Sequence, residues 1–334
     1  IIFSFAASII KFFLIFFFIN SSALAERNIK YHSNDHGIVS IMYHRFNENK
    51  YPSTNIKIDV FKKQLELIEK NSIEIYNPSK FDNEFNDPKK DKKILITIDD
   101  AFSSFYDNAW PILKEKEIPF ILFVSTEPVG KFGYMNWEQI KEVSDYDFAY
   151  IGNHSHTHEY LLDFSHDEFK KDIKKSINIF KEKLGYNPIF FSYPFGEFSL
   201  EHTSFIKKFF KYAFGQHSGV IDETKDLWEL PRFPINEKYG ELERFQTLMK
   251  TLPFKYEKIT PEDKYLLQIN NPPKIKIKFH KNINGIDKIT CFSNEGNKWR
   301  NSKINFIETE TLEIKISEKF IGERGRINCS LKEK

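Results

Sequence analysis

Short apolar runs and amphipathic segments take turns along the first 250 or so positions of this chain. Residues 37–43, 94–98, 120–124 and 148–151 are runs rich in Ile, Val, Leu and Phe, as strands buried on both faces require. Between them the apolar positions return every three or four residues. Phe61, Leu65 and Ile68 fall on one face of a helix predicted from Asp59, as its cap, to about Lys70. A helical segment spans 105–117, a short helix 137–143, and a longer amphipathic helix 167–184, which Gly185 stops. Strand followed by helix, repeated, predicts a parallel sheet or barrel wrapped by helices.

Past Thr251 the period changes. Pro272-Pro273 punctuates a linker, and 274–279 and 312–316 then alternate polar with apolar, the pattern of half-exposed antiparallel strands. An all-β domain of about sixty residues is small enough to need a staple. The chain's two cysteines, Cys291 and Cys329, both fall here and can close a disulfide in an oxidising compartment. The domain reads either as a structural cap or as a carbohydrate-binding module with Trp299 as its stacking platform.

The beginning of the sequence supplies that compartment. Lys11 precedes the apolar run 12–19, and Ser21-Ser22-Ala23-Leu24-Ala25 is a small-residue cleavage site, so 1–25 reads as a secretory signal peptide. An uncleaved anchor over 1–19 is the other reading, although Lys11 interrupts it. A net charge of +2 over 334 residues gives no nucleic-acid footprint, and after cleavage no stable membrane span is expected.

Candidate chemistry concentrates in His154-Ser155-His156-Thr157-His158. Three imidazoles within five residues suit a metal ion, though the same letters would serve in a solvated polar loop. His154 and His158, four apart, reach one point on a helical turn, but a catalytic zinc wants three protein ligands. The strand 94–98 offers the third by ending in Asp99-Asp100. The carboxyl ends of parallel strands are where α/β proteins build sites, and adjacent residues there point in different directions. One aspartate can then face a metal while the other takes a proton. A helix cap would account for Asp100 alone.

Thr97-Ile98-Asp99-Asp100 followed by His154-Ser155-His156-Thr157-His158 resembles the first two motifs of the polysaccharide deacetylases, the NodB-homology or carbohydrate esterase family 4 type. The resemblance covers roughly residues 37–251. It implies a distorted (β/α) barrel over 26–255, and the change of pattern adds the linker 256–273 and a small β-sandwich over 274–334. It implies Asp99 as general base and Asp100, His154 and His158 as ligands of a divalent metal, zinc first among them. His156 falls on a variable position of the family.

Tyr193-Pro194-Phe195-Gly196 stands where the family keeps its third motif, one wall of the substrate groove, so Tyr193, Pro194 and Phe195 are expected to bind substrate. The family's arginine, which orients the base, is missing there. Arg232, flanked by Pro231 and Pro234, is the candidate replacement. For the general acid, Leu200-Glu201-His202 matches the family's Leu-x-His letters but comes too early. His217, after the strand-like stretch 212–216, is the expected acid, and His44, at the end of the first strand, is a candidate cleft residue. The resemblance thus implies a hydrolase of carbon–nitrogen amide bonds, secreted to the periplasm or cell envelope, removing N-acetyl groups from N-acetylglucosamine-type sugars of a polysaccharide. Two other readings stay open: a catalytically silent metal- or glycan-binding protein, and an O-acetyl esterase.

Overall fold

The computed structural model describes residues 37–84, 92–280, 283 and 285–332, and the expected signal peptide, 1–25, lies outside them. The chain divides into two compact units: Asp35–Lys255 with Glu262–Leu266, and Tyr256–Pro261 with the chain from Leu267 onward.

The first unit is built on one parallel sheet. Its strands are β1 (Gly37–Tyr43), β2 (Glu74–Ile75), β3 (Lys92–Asp99), β4 (Phe120–Val124), β5 (Ala149–Asn153), β6 (Phe190–Ser192), β7 (Tyr212–Phe214) and β8 (Phe233–Pro234). The order across the sheet is β8-β1-β3-β4-β5-β6-β7, with β2 also on β3. Every pairing in it is parallel, and the sheet curls into the half-barrel of a distorted (β/α) barrel. Parallel strands need crossovers, and the amphipathic segments supply helices for them. These are α1 (Ile58–Lys70), α2 (Trp110–Glu115), α3 (Trp137–Ser144), α4 (His166–Leu184), α5 (Leu200–Ile206) and α6 (Leu242–Met249).

Burial explains why β3 carries an unbroken apolar run. Ile94, Ile96 and Ile98 pack into one cluster with Phe61, Leu65 and Ile68 of α1, whereas Leu95 points into a second cluster with Ile121, Phe123, Phe190 and Phe214. Both faces are covered, so no polar alternation survives. Each such side chain contributes about 1.5–3 kcal/mol by leaving water.

Helix ends follow local chemistry, with one revision. Ser165 and Glu168 form a capping box at α4, Asn136 and Gln139 another at α3, and Gly185 ends α4 in the left-handed conformation. Asp59 is not the cap of α1. Lys57 occupies that position without a side-chain bond, and Asp59 sits in the first turn, where its charge complements the helix dipole. The expected helix 105–117 opens as a π-turn, Phe105–Ala109, before α2.

The second unit is all β, with strands β9 (Lys258–Thr260), β10 (Ile275–Lys278), β11 (Thr290–Ser293), β12 (Arg300–Asn301), β13 (Lys303–Glu308), β14 (Thr311–Lys315) and β15 (Ile327–Ser330). They form two antiparallel sheets, β9-β10-β14-β13 and β12-β11-β15. Part of the stretch expected as a linker is therefore structured, since β9 pairs with β10. Cys291 and Cys329 face each other across β11 and β15 and are disulfide-bonded, with Cα atoms 4.1 Å apart.

Candidate functional site

The chemistry-bearing residues gather where the parallel strands end. β3 stops at Asp99, and the next two residues, Asp100 and Ala101, turn sharply with φ of 77° and 54°. β5 delivers His154, whose backbone N–H still donates to the Val124 carbonyl, and Ser155 and His158 again take positive φ. Left-handed backbone outside glycine is uncommon and strained, and its recurrence at these positions marks a site whose geometry is imposed by its surroundings. Gly152 is required just ahead: a Cβ there would lie 2.3 Å from the Phe123 ring.

Asp172, buried on α4, fixes the histidine loop. Its carboxylate accepts from the backbone N–H of His156 at 2.8 Å, and from the N–H and hydroxyl of Thr157 at 3.0 and 2.8 Å. The loop thus presents His154 and His158 on one side. His156 turns away and bonds Thr126 Oγ1 through Nδ1 at 2.8 Å.

Asp100, His154 and His158 bring one ligand atom each within 4.8 Å of one another. The protonation pattern decides what they are fit for. His154 Nδ1 lies 2.7 Å from the Ser192 carbonyl, which can only accept, so Nδ1 carries the hydrogen and Nε2 presents a lone pair. That Nε2 faces Asp100 Oδ1 at 3.4 Å and Asp99 Oδ2 at 3.8 Å, while His158 Nε2 is 3.0 Å from Asp100 Oδ1. Both His154 Nε2 and Asp100 Oδ1 are buried without a hydrogen bond. Two imidazoles with one carboxylate, gathered this closely at a buried strand end, are a donor set that zinc accepts.

Asp99 is held differently. It is fully buried, and Arg232, also fully buried, forks onto it: Nη1 to Oδ1 at 2.6 Å and Nη2 to Oδ2 at 2.9 Å. The remaining donors go to the Gly215 carbonyl, Thr97 Oγ1 and Ser192 Oγ. Burial on its own would raise the Asp99 pKa, but the Arg232 guanidinium, with His154 and His44, brings it below the ordinary carboxylate value. Burial acts likewise on Asp100, and its two histidine neighbours hold it well below that value. Arg232 arrives from the segment before β8, which pairs with β1, so a residue 133 positions away completes the strand-end cluster.

The other expected residues divide. Tyr43 registers with Ile98, so His44 follows β1 alongside Asp99. Half-buried there, its imidazole pKa is lowered, first by desolvation, with Asp100 and Asp99 opposing. Phe195 is half-buried, has φ of 59°, lies 4.9 Å from the His158 ring and stacks flat on Tyr160 at 4.1 Å. Tyr160 was not singled out from the sequence, where no spacing rule connects it to Phe195. The expectation for Tyr193 and Pro194 is corrected: both are buried, and the Tyr193 ring packs on Phe191 and Phe198 in the core. His217 also needs revision. Among the described residues no hydrogen bond, ion pair or ring contact joins it to Asp99, Asp100, His154 or His158. Its ring approaches Phe198, and after desolvation the cations Lys264, Lys225 and Arg232 disfavour its protonated form. His202 is buried against Phe169.

The parallel half-barrel thus collects an aspartate pair and a histidine pair at its strand ends. Residues 86–211 match the family model described as polysaccharide deacetylase. It is 27% identical over 173 residues to the poly-β-1,6-N-acetyl-D-glucosamine N-deacetylase of Staphylococcus epidermidis, a match covering 48% of this chain and 58% of that one. It is 23% identical over 199 residues to the putative polysaccharide deacetylase YxkH of Bacillus subtilis, covering 59% and 70%. The chain thus spans little more than half the length of the Staphylococcus relative. Among solved structures, IcaB from Ammonifex degensii superposes with a TM-score of 0.60 at 23% identity, covering 65% of this chain and 99% of that one. The Streptococcus pyogenes deacetylase PplD gives 0.58 at 22%, covering 64% and 98%. These superpositions establish the shared fold.

Proposed function

We propose that this chain is a secreted, metal-dependent deacetylase that hydrolyses the N-acetyl groups of an N-acetylglucosamine polymer, with a poly-β-1,6-linked chain as the first substrate to try. The observation that carries this reading is the buried Arg232 fork on Asp99, set beside the donor set of Asp100, His154 and His158. A silent binding protein has no use for an ionised carboxylate oriented this way.

Asp100, His154 and His158 would hold the divalent cation, which when bound acts as a Lewis acid toward the acetyl carbonyl and acidifies water. The rest is done by side chains. Asp99, kept ionised and aimed by Arg232, takes a proton from the attacking water as its oxygen adds to the acetyl carbon. The amide C–N bond then breaks, and the amine nitrogen needs a proton. His44 follows β1 beside Asp99 and is not claimed as a ligand, so we assign it the proton donation in place of His217; the two aspartates oppose the lowering of its pKa by burial. Phe195, stacked on Tyr160, lines the groove beside His158. The products are acetate and a free amino sugar, so atoms and protons balance.

Acetate release from a panel of defined acetylated glycans, after chelation and after zinc is restored, tests the reading. Release that needs the metal supports it. No release from any glycan, under any metal, returns the protein to the binding class.

A further inference from the structure

On the β1 side of the cluster stands a wall that the reaction above does not use. Phe102, two residues beyond Asp100, lies 4.9 Å from the Tyr134 ring, and an isolated backbone bridge joins the two residues. The Arg45 guanidinium sits over the Phe102 ring at 3.4 Å and over the Tyr51 ring at 4.5 Å. Tyr51, Arg45, Phe102 and Tyr134 therefore form one continuous aromatic–cation stack, in which Arg45 directly follows His44 in sequence.

Its polar groups are ordered but only partly used. Arg45 spends Nη1 on both Glu48 carboxylate oxygens at 3.0 Å, which fixes the plane of the guanidinium. Among the described residues, no hydrogen bond takes its Nε–H or Nη2–H donors. The half-buried Tyr134 hydroxyl has no hydrogen-bond partner there either, and it lies close enough to Asp100 to feel that charge. A stiff planar donor fork and a phenol hydroxyl set among rings match a hexose, which offers oxygen acceptors around its edge and C–H faces to aromatic carbon.

We propose that Arg45 and Tyr134, with the rings of Tyr51 and Phe102, form a saccharide subsite that binds an N-acetylhexosamine unit next to the one being deacetylated. Arg45 and Tyr134 donate to its hydroxyl or acetamide oxygens, and the exposed Tyr51 ring takes its apolar face, with the buried Phe102 backing the stack. The inference rests on the deacetylase reading for the identity of its ligand. It adds which side chains hold the neighbouring unit of that polymer, a place that a single sugar would leave unfilled.

The test uses the full chain carrying Asp99→Asn, so that ligand is bound and not consumed, with a β-1,6-linked N-acetylglucosamine pentasaccharide and the monosaccharide titrated by calorimetry. Tyr134→Phe removes only the hydroxyl, and Arg45→Lys keeps a cation for Glu48 while losing the fork. Each should weaken pentasaccharide binding about tenfold, with melting temperatures within about 2 °C of the parent. In the active chain, the same changes should raise KM for the pentasaccharide more than they lower kcat. Unchanged pentasaccharide affinity in both variants overturns the subsite, as does a parent that binds monosaccharide and pentasaccharide equally well. Acetate release is read separately. A parent that binds the pentasaccharide through these residues yet releases nothing overturns the deacetylase reading alone.

Discussion

Arg232 and Asp99 lie 133 residues apart and meet through two nearly parallel hydrogen bonds of 2.6 and 2.9 Å in a fully buried fork. A bidentate guanidinium both favours the ionised carboxylate and fixes its plane, which a point-charge lysine would not do. Asp99→Asn should retain metal while turnover falls about 10²–10⁴-fold. Arg232→Lys should also lower turnover, and the double variant should lose little more than Asp99→Asn alone, because both act through one carboxylate. Additive losses in steady-state kinetics would refute that coupling.

Breaking the pair should show in stability as well. Arg232→Ala leaves a buried carboxylate uncompensated, so unfolding free energy should drop by about 3–5 kcal/mol in denaturant titration. A variant as stable as the parent would mean that the charges are less buried than the structure has them.

Metal retention separates His158 from His156. His158→Ala should abolish tight zinc binding measured by atomic spectrometry after dialysis, whereas His156→Ala should spare it, since that ring is turned to Thr126. Equal loss from the two would overturn the ligand set.

The disulfide of the C-terminal unit predicts its own outcome. Denatured without reductant, the protein should show no titratable thiol. Reduction should destabilise this unit by about 4 kcal/mol on the chain-entropy estimate for a span of 38 residues. Two thiols in that titration would rule out the bond.

His202 supplies a pH dependence remote from the metal cluster. Burial against Phe169 is the main cause of its pKa falling to about 4, whereas a free imidazole titrates near 6.5. The unfolded chain therefore binds the extra proton across the window from about 6.5 down to 4. Stability should be unaffected by this group above pH 6.5 and should decline through the window by as much as about 3 kcal/mol. His202→Phe should flatten that part of the profile in urea unfolding at pH 4–7, and a profile identical to the parent's would exclude the assignment.

Much of this was legible in the chain because it depends on period and adjacency. The run 94–98 could only be a strand covered on both faces, and Asp99-Asp100 at its end had to lie on the rim. The resemblance supplied roles for His154 and His158, and two flanking prolines drew attention to Arg232. What escaped depends on side-chain direction and on distant neighbours. Tyr193 belongs to the same four-letter motif as Phe195, yet one ring enters the core and the other meets Tyr160. His217 looked well placed along a strand, but β7 ends at Phe214 and the chain turns before reaching it. Tyr134 lies in a loop without period, and only its approach to Phe102 gives it a place.

Asp172 has a consequence for how the protein takes up its ion. Because one helix carboxylate already grips the backbone at His156 and Thr157, the entropy of ordering that loop is lost when the chain folds and not when metal arrives. Uptake can then be fast and leave the backbone where it was. A chelated sample should resist proteases at this loop as well as a loaded one does, while Asp172→Asn should make its resistance depend on zinc.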